Sequence, residues 1–209
     1  MQRGRVINFS KIKIFEFVKS NLYLFIGFLF LIIGAVLGLV IFDDFKLLTN
    51  FIKQYFENYI DIRQSGTFIK IVLLSFAKSL SVFMVLFMVG TSLFGVITVP
   101  LSVLICGVFY GSSVAYLYAE FALKGVAFNA VIFLPSSLVL LIFLIFASRL
   151  SLIFSVELAR LTLPNSMRGD LFLQFKEYSI KFLLLALGSV SAALIDGLTA
   201  TSMWRFFEF

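Results

Sequence analysis

The sequence contains no histidine and only one cysteine, Cys106. These residue types are the commonest zinc ligands, and histidine is the usual general base for a serine or cysteine nucleophile. Most hydrolase mechanisms are therefore excluded, and we predict no catalytic residue, no metal site and no cofactor. A single cysteine cannot form an intramolecular disulfide, and the apolar neighbours of Cys106 favour an inert, packed thiol.

Charged residues are scarce as well. They make up 13% of the chain and hydrophobic residues 61%, whereas soluble domains contain about 25% charged and about 45–50% apolar residues. Because too little polar surface remains to cover a water-soluble globule, lipid must contact most of this protein. The net charge of +6 comes from basic residues scattered between apolar runs, which favours anionic lipid head groups over nucleic acid as their partner.

Long uncharged runs predict an all-α bundle of about five transmembrane helices in a single membrane domain. About 20 helical residues cross a hydrocarbon core of about 30 Å. The uncharged stretch 79–119 is about twice that length, and Pro100 disfavours helix at Val99, so we place a tight turn there. The predicted spans are residues 22–42, 79–98, 101–119, 126–148 and 182–204.

A second proline, Pro135, predicts a kink in the fourth span. The two serines after it, or neighbouring helices, are expected to bond the carbonyl groups that the proline leaves unpaired. This helix is expected to continue past Arg149 towards Arg160 and to end before the turn LPNSMRGD. Residues 149–181 then connect the last two spans.

Two segments are predicted at the membrane surface. Residues 1–21 are basic and are expected as an interfacial helix or, alternatively, a solvated tail. Residues 43–78 begin with an amphipathic helix that breaks after Ser65-Gly66. Its apolar face could lie on the bilayer, cap the bundle or bind a partner, and it consists of Phe45, Leu48, Ile52, Tyr55, Phe56 and Tyr59.

The distribution of Lys and Arg predicts the orientation of the chain. With an odd number of spans, residues 1–21 and 149–181 share one side, and they carry more basic residues than the other side. The positive-inside rule therefore predicts a cell-membrane protein with a cytoplasmic N-terminus, a cytoplasmic 149–181 connection and an external 43–78 loop.

Glycine residues within the spans are typical of closely packed helices, because they let two backbones approach. Two GxxxG patterns occur, and further glycines lie in and beside the second span. Packing between helices of one chain is favoured over homodimerisation, and a homo-oligomer is the alternative. The predicted helix-packing residues are Gly34, Gly38, Gly90, Gly95, Gly107 and Gly111.

Asp196 is the one acid in the last predicted span. A carboxyl group in the membrane is costly and usually faces the bundle interior or a water-filled cavity. Structural pairing and ion coupling both remain open, but pairing with Arg149 is disfavoured because the two residues lie at different depths. Together with Pro135, Asp196 supports an alternative function as a membrane transporter or permease subunit.

Four motifs follow one another in a distinctive order: SFAKSLSVFMVLFMVGTSLFGVITVPL, CGVFYGSSVAYLYAEFALKG, FLPSSLVLL and AALIDGLTA. From about Leu22 to Thr201 this order resembles the stage II sporulation protein M family, although Asp196 stands where a glutamate is expected. The resemblance implies a non-enzymatic polytopic protein that acts with stage II sporulation proteins D and P in the septal complex for peptidoglycan remodelling during engulfment. Its implied role is a scaffold that localises wall hydrolases at the membrane.

Overall fold

The structure, a computed structural model, describes residues 21–42, 44–161 and 171–203. These residues form helices without any strand. In chain order they are α1 (Leu22–Ile41), α2 (Lys46–Ser65), α3 (Phe68–Gly90), α4 (Gly95–Phe128), a π-helical turn (Asn129–Phe133), α5 (Leu134–Leu161) and α6 (Leu171–Met203).

Within the described residues, four helical elements are long and apolar enough to cross a membrane. They are α1, α3, the continuous element Gly95–Leu161 and α6 up to Ser202. An apolar helix satisfies its own backbone groups, which is why such runs fold as helices in lipid. The chain is therefore a membrane protein with multiple spans.

The element Gly95–Leu161 folds back on itself at Ala122. This residue has non-helical backbone angles, φ 46° and ψ −126°. Beyond it, Phe133 stacks on Tyr110 with ring centroids 5.8 Å apart, and Phe128 is buried in the same cluster as Tyr116. The two arms thus lie side by side, as expected for the predicted third and fourth spans, while the number of membrane crossings stays a prediction.

The predicted turn at Pro100 is wrong. The chain turns at residues 91–94, and Pro100 is buried inside α4. The amide of Thr91 donates to the carbonyl of Phe87 at 3.1 Å, and its hydroxyl donates to the carbonyl of Met88 at 2.8 Å. The Thr91 hydroxyl thus bonds a carbonyl at the end of α3, while a proline near the start of α4 removes only one main-chain bond. The predicted boundaries of the second and third spans shift accordingly.

Other boundaries differ less. Helix α5 runs to Leu161, which confirms the continuation past Arg149, and α2 ends before Gly66, which has extended backbone angles. Helix α6 begins at Leu171, so it is longer than the span predicted from residue 182. The turn LPNSMRGD and nearly all of residues 1–21 lie outside the described residues.

Two hydrophobic clusters fill the bundle. The larger one joins α1, α3, α4, α5 and α6 around Phe83, Val103, Leu144 and Phe182. The second joins the apolar face of α2 to α4 and the π-helical turn. This second cluster holds α2 against the bundle, and Tyr59 and Arg63 of α2 contact Asp196 of α6 at the candidate site.

Candidate functional site

Asp196 on α6 is the centre of a buried polar cluster. The residue is 5% exposed, and its side chain forms an ion pair with Arg63 of α2 through Oδ2. The same oxygen accepts a hydrogen bond from the hydroxyl of Ser75 on α3, and Oδ1 accepts one from the hydroxyl of Tyr59 at 3.1 Å. Both carboxylate oxygens are therefore satisfied, as a charge in a bundle interior requires. The partner is Arg63 rather than Arg149, in agreement with the depth argument.

Arg63 is held against its own helix as well as against Asp196. Its guanidinium lies over the ring of Tyr59, 3.1 Å from the centroid, and donates to the carbonyl of Tyr59 at 3.1 Å. Sequence reasoning missed this residue. The signal was present, because Arg63 continues the helical stripe of Ile52, Phe56 and Tyr59 by one further turn. A basic residue on an apolar stripe points to an acidic partner across the contact.

Two tyrosines of α2 remain protonated beside the ion pair. Burial raises the pKa of Tyr55 to about 12, and burial raises the pKa of Tyr59 well above its usual value of 10. The charge of Arg63 opposes this rise in pKa at both tyrosines, and the charge of Asp196 adds to it. At neutral pH, Tyr59 is therefore a hydroxyl donor to the carboxylate.

The apolar face of α2 packs inside the chain. Ile52 and Phe56 are fully buried, and Tyr59 is 4% exposed. The ring of Phe56 stacks on Tyr116 at 5.4 Å and contacts Phe133 at 5.6 Å between centroids. Helix α2 thus caps the bundle, which was one of the three alternatives.

This packing corrects the prediction of a partner-binding apolar face. Ile52, Phe56 and Tyr59 contact the chain's own helices and do not form a free surface, because burial of this stripe covers the apolar area that a partner would need. Phe45 is exposed, and Leu48 and Tyr55 are half-buried. The hydrated surface of α2 is its opposite face, which is exposed at Lys46, Asn50, Lys53, Glu57 and Asp61.

A cavity of about 460 Å³ adjoins the polar cluster. Asp196 and Lys78 are the charged residues on its wall, and most of the remaining lining is aromatic or aliphatic. The residues come from all helices except α1: Phe51, Tyr55, Tyr59, Ser75, Lys78, Ser79, Val82, Ile105, Cys106, Phe109, Tyr110, Phe133, Ser136, Ser137, Leu140, Leu141, Leu144, Ala192, Ala193 and Asp196.

Pro135 lies beside this cavity and follows the π-helical turn Asn129–Phe133. A π-helical turn accommodates an irregular hydrogen-bond pattern of the kind that proline imposes. The hydroxyls of Ser136 and Ser137 both donate to the carbonyl of Phe133. We had expected the serines to bond the carbonyl that Pro135 leaves unpaired, one helical turn before the proline. They bond instead the carbonyl of Phe133, which is only two residues before it.

The glycines of the two GxxxG patterns meet one another between α1 and α4. A Cβ atom built on Gly34 lies 3.1 Å from Cα of Gly107, and one built on Gly107 lies 3.1 Å from Cα of Gly34. Gly111 faces Ala35, and the carbonyl of Gly38 accepts a hydrogen bond from Ser112 at 3.0 Å. These glycines therefore lie at a contact within one chain.

The remaining two glycines face serines of α5. Gly90, at the end of α3, lies against Ser151, and its carbonyl accepts a hydrogen bond from Ser155 at 2.6 Å. Gly95, at the start of α4, lies against Ser155. The small residues allow α5 to pass close to the turn between α3 and α4.

A family model described as Stage II sporulation protein M matches residues 27–200, which is most of the chain. The matched range contains Arg63, Asp196 and every residue of the cavity wall. No curated protein and no solved structure matches the chain.

Proposed function

Because the chain belongs to the stage II sporulation protein M family, we propose that it is a non-enzymatic membrane scaffold for cell-wall remodelling. The scaffold localises peptidoglycan hydrolases at the septal membrane during engulfment. Its partners are membrane-anchored wall hydrolases of the kind represented by stage II sporulation proteins D and P.

The observation that carries this proposal is the fixed orientation of α2. The ion pair of Arg63 with Asp196 and the stacking of Phe56 on Tyr116 hold one face of the helix against the bundle. The opposite face, with Lys53 and Glu57, stays hydrated. A surface held in one orientation loses little conformational freedom when a partner binds, so more of the contact energy appears as affinity.

The proposal also assigns a side to this surface. The basic residues of 1–21 and 149–181 support a cytoplasmic N-terminus, which puts α2 outside the membrane. Peptidoglycan and its hydrolases are on that side. The polar face of α2 thus meets the wall enzymes, and the apolar helices hold the scaffold in the lipid.

The test is capture of hydrolase activity with the full-length tagged protein. The protein is purified from membranes of the source cells in mild detergent, and released peptidoglycan fragments measure the activity that co-purifies. The double variant Lys53→Glu/Glu57→Lys reverses the charges of the polar face without changing net charge. We expect this variant to lose most of the captured activity.

The matched control is Glu177→Lys/Lys181→Glu on α6. This pair has the same spacing, is exposed and forms a surface ion pair at 3.0 Å. We expect the control to capture as much activity as the unchanged protein. Equal capture by both double variants, or no captured activity with the unchanged protein, argues against the scaffold.

A second candidate is a membrane transporter or permease subunit that uses Asp196. The cavity beside this carboxylate favours it, because intramembrane acids next to a cavity often couple ion movement. The double variant Arg63→Gln/Asp196→Asn removes both charges and leaves hydrogen-bonding groups in their place. The measurement is proton or solute flux into vesicles that contain the purified protein. Flux that is present with the unchanged protein and lost in this folded variant supports the transporter. Absence of flux with the unchanged protein opposes it.

A further inference from the structure

We propose that the cavity beside Asp196 binds one acyl chain of an anionic phospholipid, with the phosphate of the head group at Lys78. This inference goes beyond the scaffold role and does not depend on it. It follows from three properties of the cavity: its apolar depth, the direction of its opening and the charge at its rim.

The depth of the cavity fits a hydrocarbon chain. Its volume of about 460 Å³ lies within the range of about 300–1,000 Å³ typical of small-molecule sites. One wall follows α5 from near Phe133 to Leu144, about 16 Å along a helix axis at about 1.5 Å per residue. Leu144, Ala192 and Ala193 on its wall are buried and apolar. An apolar chain is the ligand that loses least by leaving lipid for such a space.

The cavity opens sideways, towards the membrane. Ile105 is on its wall, yet it is 60% exposed. Ile105 belongs to the uncharged part of α4, and its exposed side chain therefore faces hydrocarbon rather than water. A lipid chain can enter at this point without crossing an aqueous region.

The rim of the cavity carries an excess positive charge. The two charged residues on the wall are Lys78 and Asp196, and Asp196 is neutralised by Arg63. Lys78 is exposed and forms no ion pair with another described residue; its ammonium lies 4.5 Å from the ring centroid of Tyr55. It is the last charged residue before the uncharged stretch 79–119. It lies ten residues into α3, and its long side chain extends the ammonium from the helix towards the phosphates of the lipid surface.

The experiment measures lipid retention by native mass spectrometry of the purified full-length protein. Phosphatidylglycerol and phosphatidylcholine with identical acyl chains are added separately. We expect one phosphatidylglycerol to bind about fivefold more tightly, as a single lysine at a lipid surface contributes. Lys78→Gln should abolish this preference. The control Lys70→Gln, on the same helix but away from the cavity, should keep it.

Two further measurements separate the cavity from other lipid contacts. Cys106→Phe narrows the cavity from one wall and Leu140→Phe from another, and both should reduce retention of the two lipids several-fold. Leu101→Phe, which is exposed and outside the cavity, should not. Glycerol 3-phosphate supplies the same anion without acyl chains and should not be retained.

Three results overturn the inference. The first is a preference for phosphatidylglycerol that survives Lys78→Gln. The second is unchanged lipid retention in both phenylalanine variants, which puts the bound lipid elsewhere on the protein. The third is retention of glycerol 3-phosphate as tight as that of phosphatidylglycerol, because the apolar part of the cavity then contributes nothing.

Discussion

Arg63 and Asp196 form a buried ion pair between helices α2 and α6, which lie 133 positions apart in the sequence. Charges in a low-dielectric interior are expensive unless each has a partner and further hydrogen bonds. Here Tyr59 and Ser75 complete the shell of the carboxylate. The pair therefore fixes where α2 lies on the bundle.

Loss of either charge should destabilise the protein. Asp196→Asn or Arg63→Gln leaves one buried charge without its partner, and we expect the free energy of unfolding to fall by about 3–5 kcal/mol. Chemical unfolding of the purified protein in detergent measures this change. The double variant Arg63→Gln/Asp196→Asn should cost far less than the sum of the single variants, because no charge then stays buried alone.

The exposed pair of Glu177 and Lys181 is the control for these variants. Neutralising Lys181 should not change the unfolding curve measurably, because exposed ion pairs contribute little. If the two buried substitutions are simply additive in the double variant, Arg63 and Asp196 are not coupled as described.

The contact between α1 and α4 should not tolerate a larger side chain at Gly34. A Cβ atom there meets the carbonyl carbon of Leu104 at 3.0 Å and Cα of Gly107 at 3.1 Å, so Gly34→Val pushes the backbones apart. We expect a loss of about 1–3 kcal/mol, as for other overpacked contacts. The thermal unfolding midpoint measures it, and Val36→Leu on the exposed side of α1 is the control.

A different outcome would assign the glycines another role. If Gly34→Val leaves the midpoint unchanged but converts a dimer into a monomer on size-exclusion chromatography, the glycines hold two copies together.

The sequence predicted the helical class, because long uncharged runs have one dominant physical explanation, and it marked Asp196 as a residue that faces the bundle interior or a cavity. It did not predict the partner. An apolar stripe on α2 indicates which face is buried but not which helix covers it, so Arg63 was overlooked. The turn at residues 91–94 was also missed, since the hydroxyls of Thr91 and Ser92 bond main-chain groups there, while Pro100 lies inside α4.

Accessibility of α2 can be measured with single cysteines. In a Cys106→Ser background, we expect Lys53→Cys to react rapidly with a water-soluble maleimide and Ile52→Cys to be protected, because the first side chain is exposed and the second is fully buried. In intact cells, labelling of Lys53→Cys by an impermeant reagent tests the proposed external location. Rapid labelling of Ile52→Cys shows that α2 does not pack on the bundle.

Alkaline pH should weaken the attachment of α2. Burial raises the pKa of Tyr55 from 10 to about 12, so the unfolded chain loses this proton before the folded protein does. The stability gained from the neutral hydroxyl is complete below about pH 10 and is lost as the pH rises through about 12. Tyr55→Phe should unfold with a shallower pH dependence in this range. An identical pH profile shows that the pKa of Tyr55 is not raised in the folded protein.

In the proposed scaffold, the ion pair holds α2 in place for a wall hydrolase. The most direct test is the peptidoglycan-degrading activity that co-purifies with equal amounts of four proteins: the unchanged chain, Arg63→Gln, Asp196→Asn and the double variant. We predict that both single variants lose the captured activity and that the double variant regains it, because pairing of neutral groups restores the position of α2. Full capture by the single variants, or no recovery in the double variant, contradicts the account.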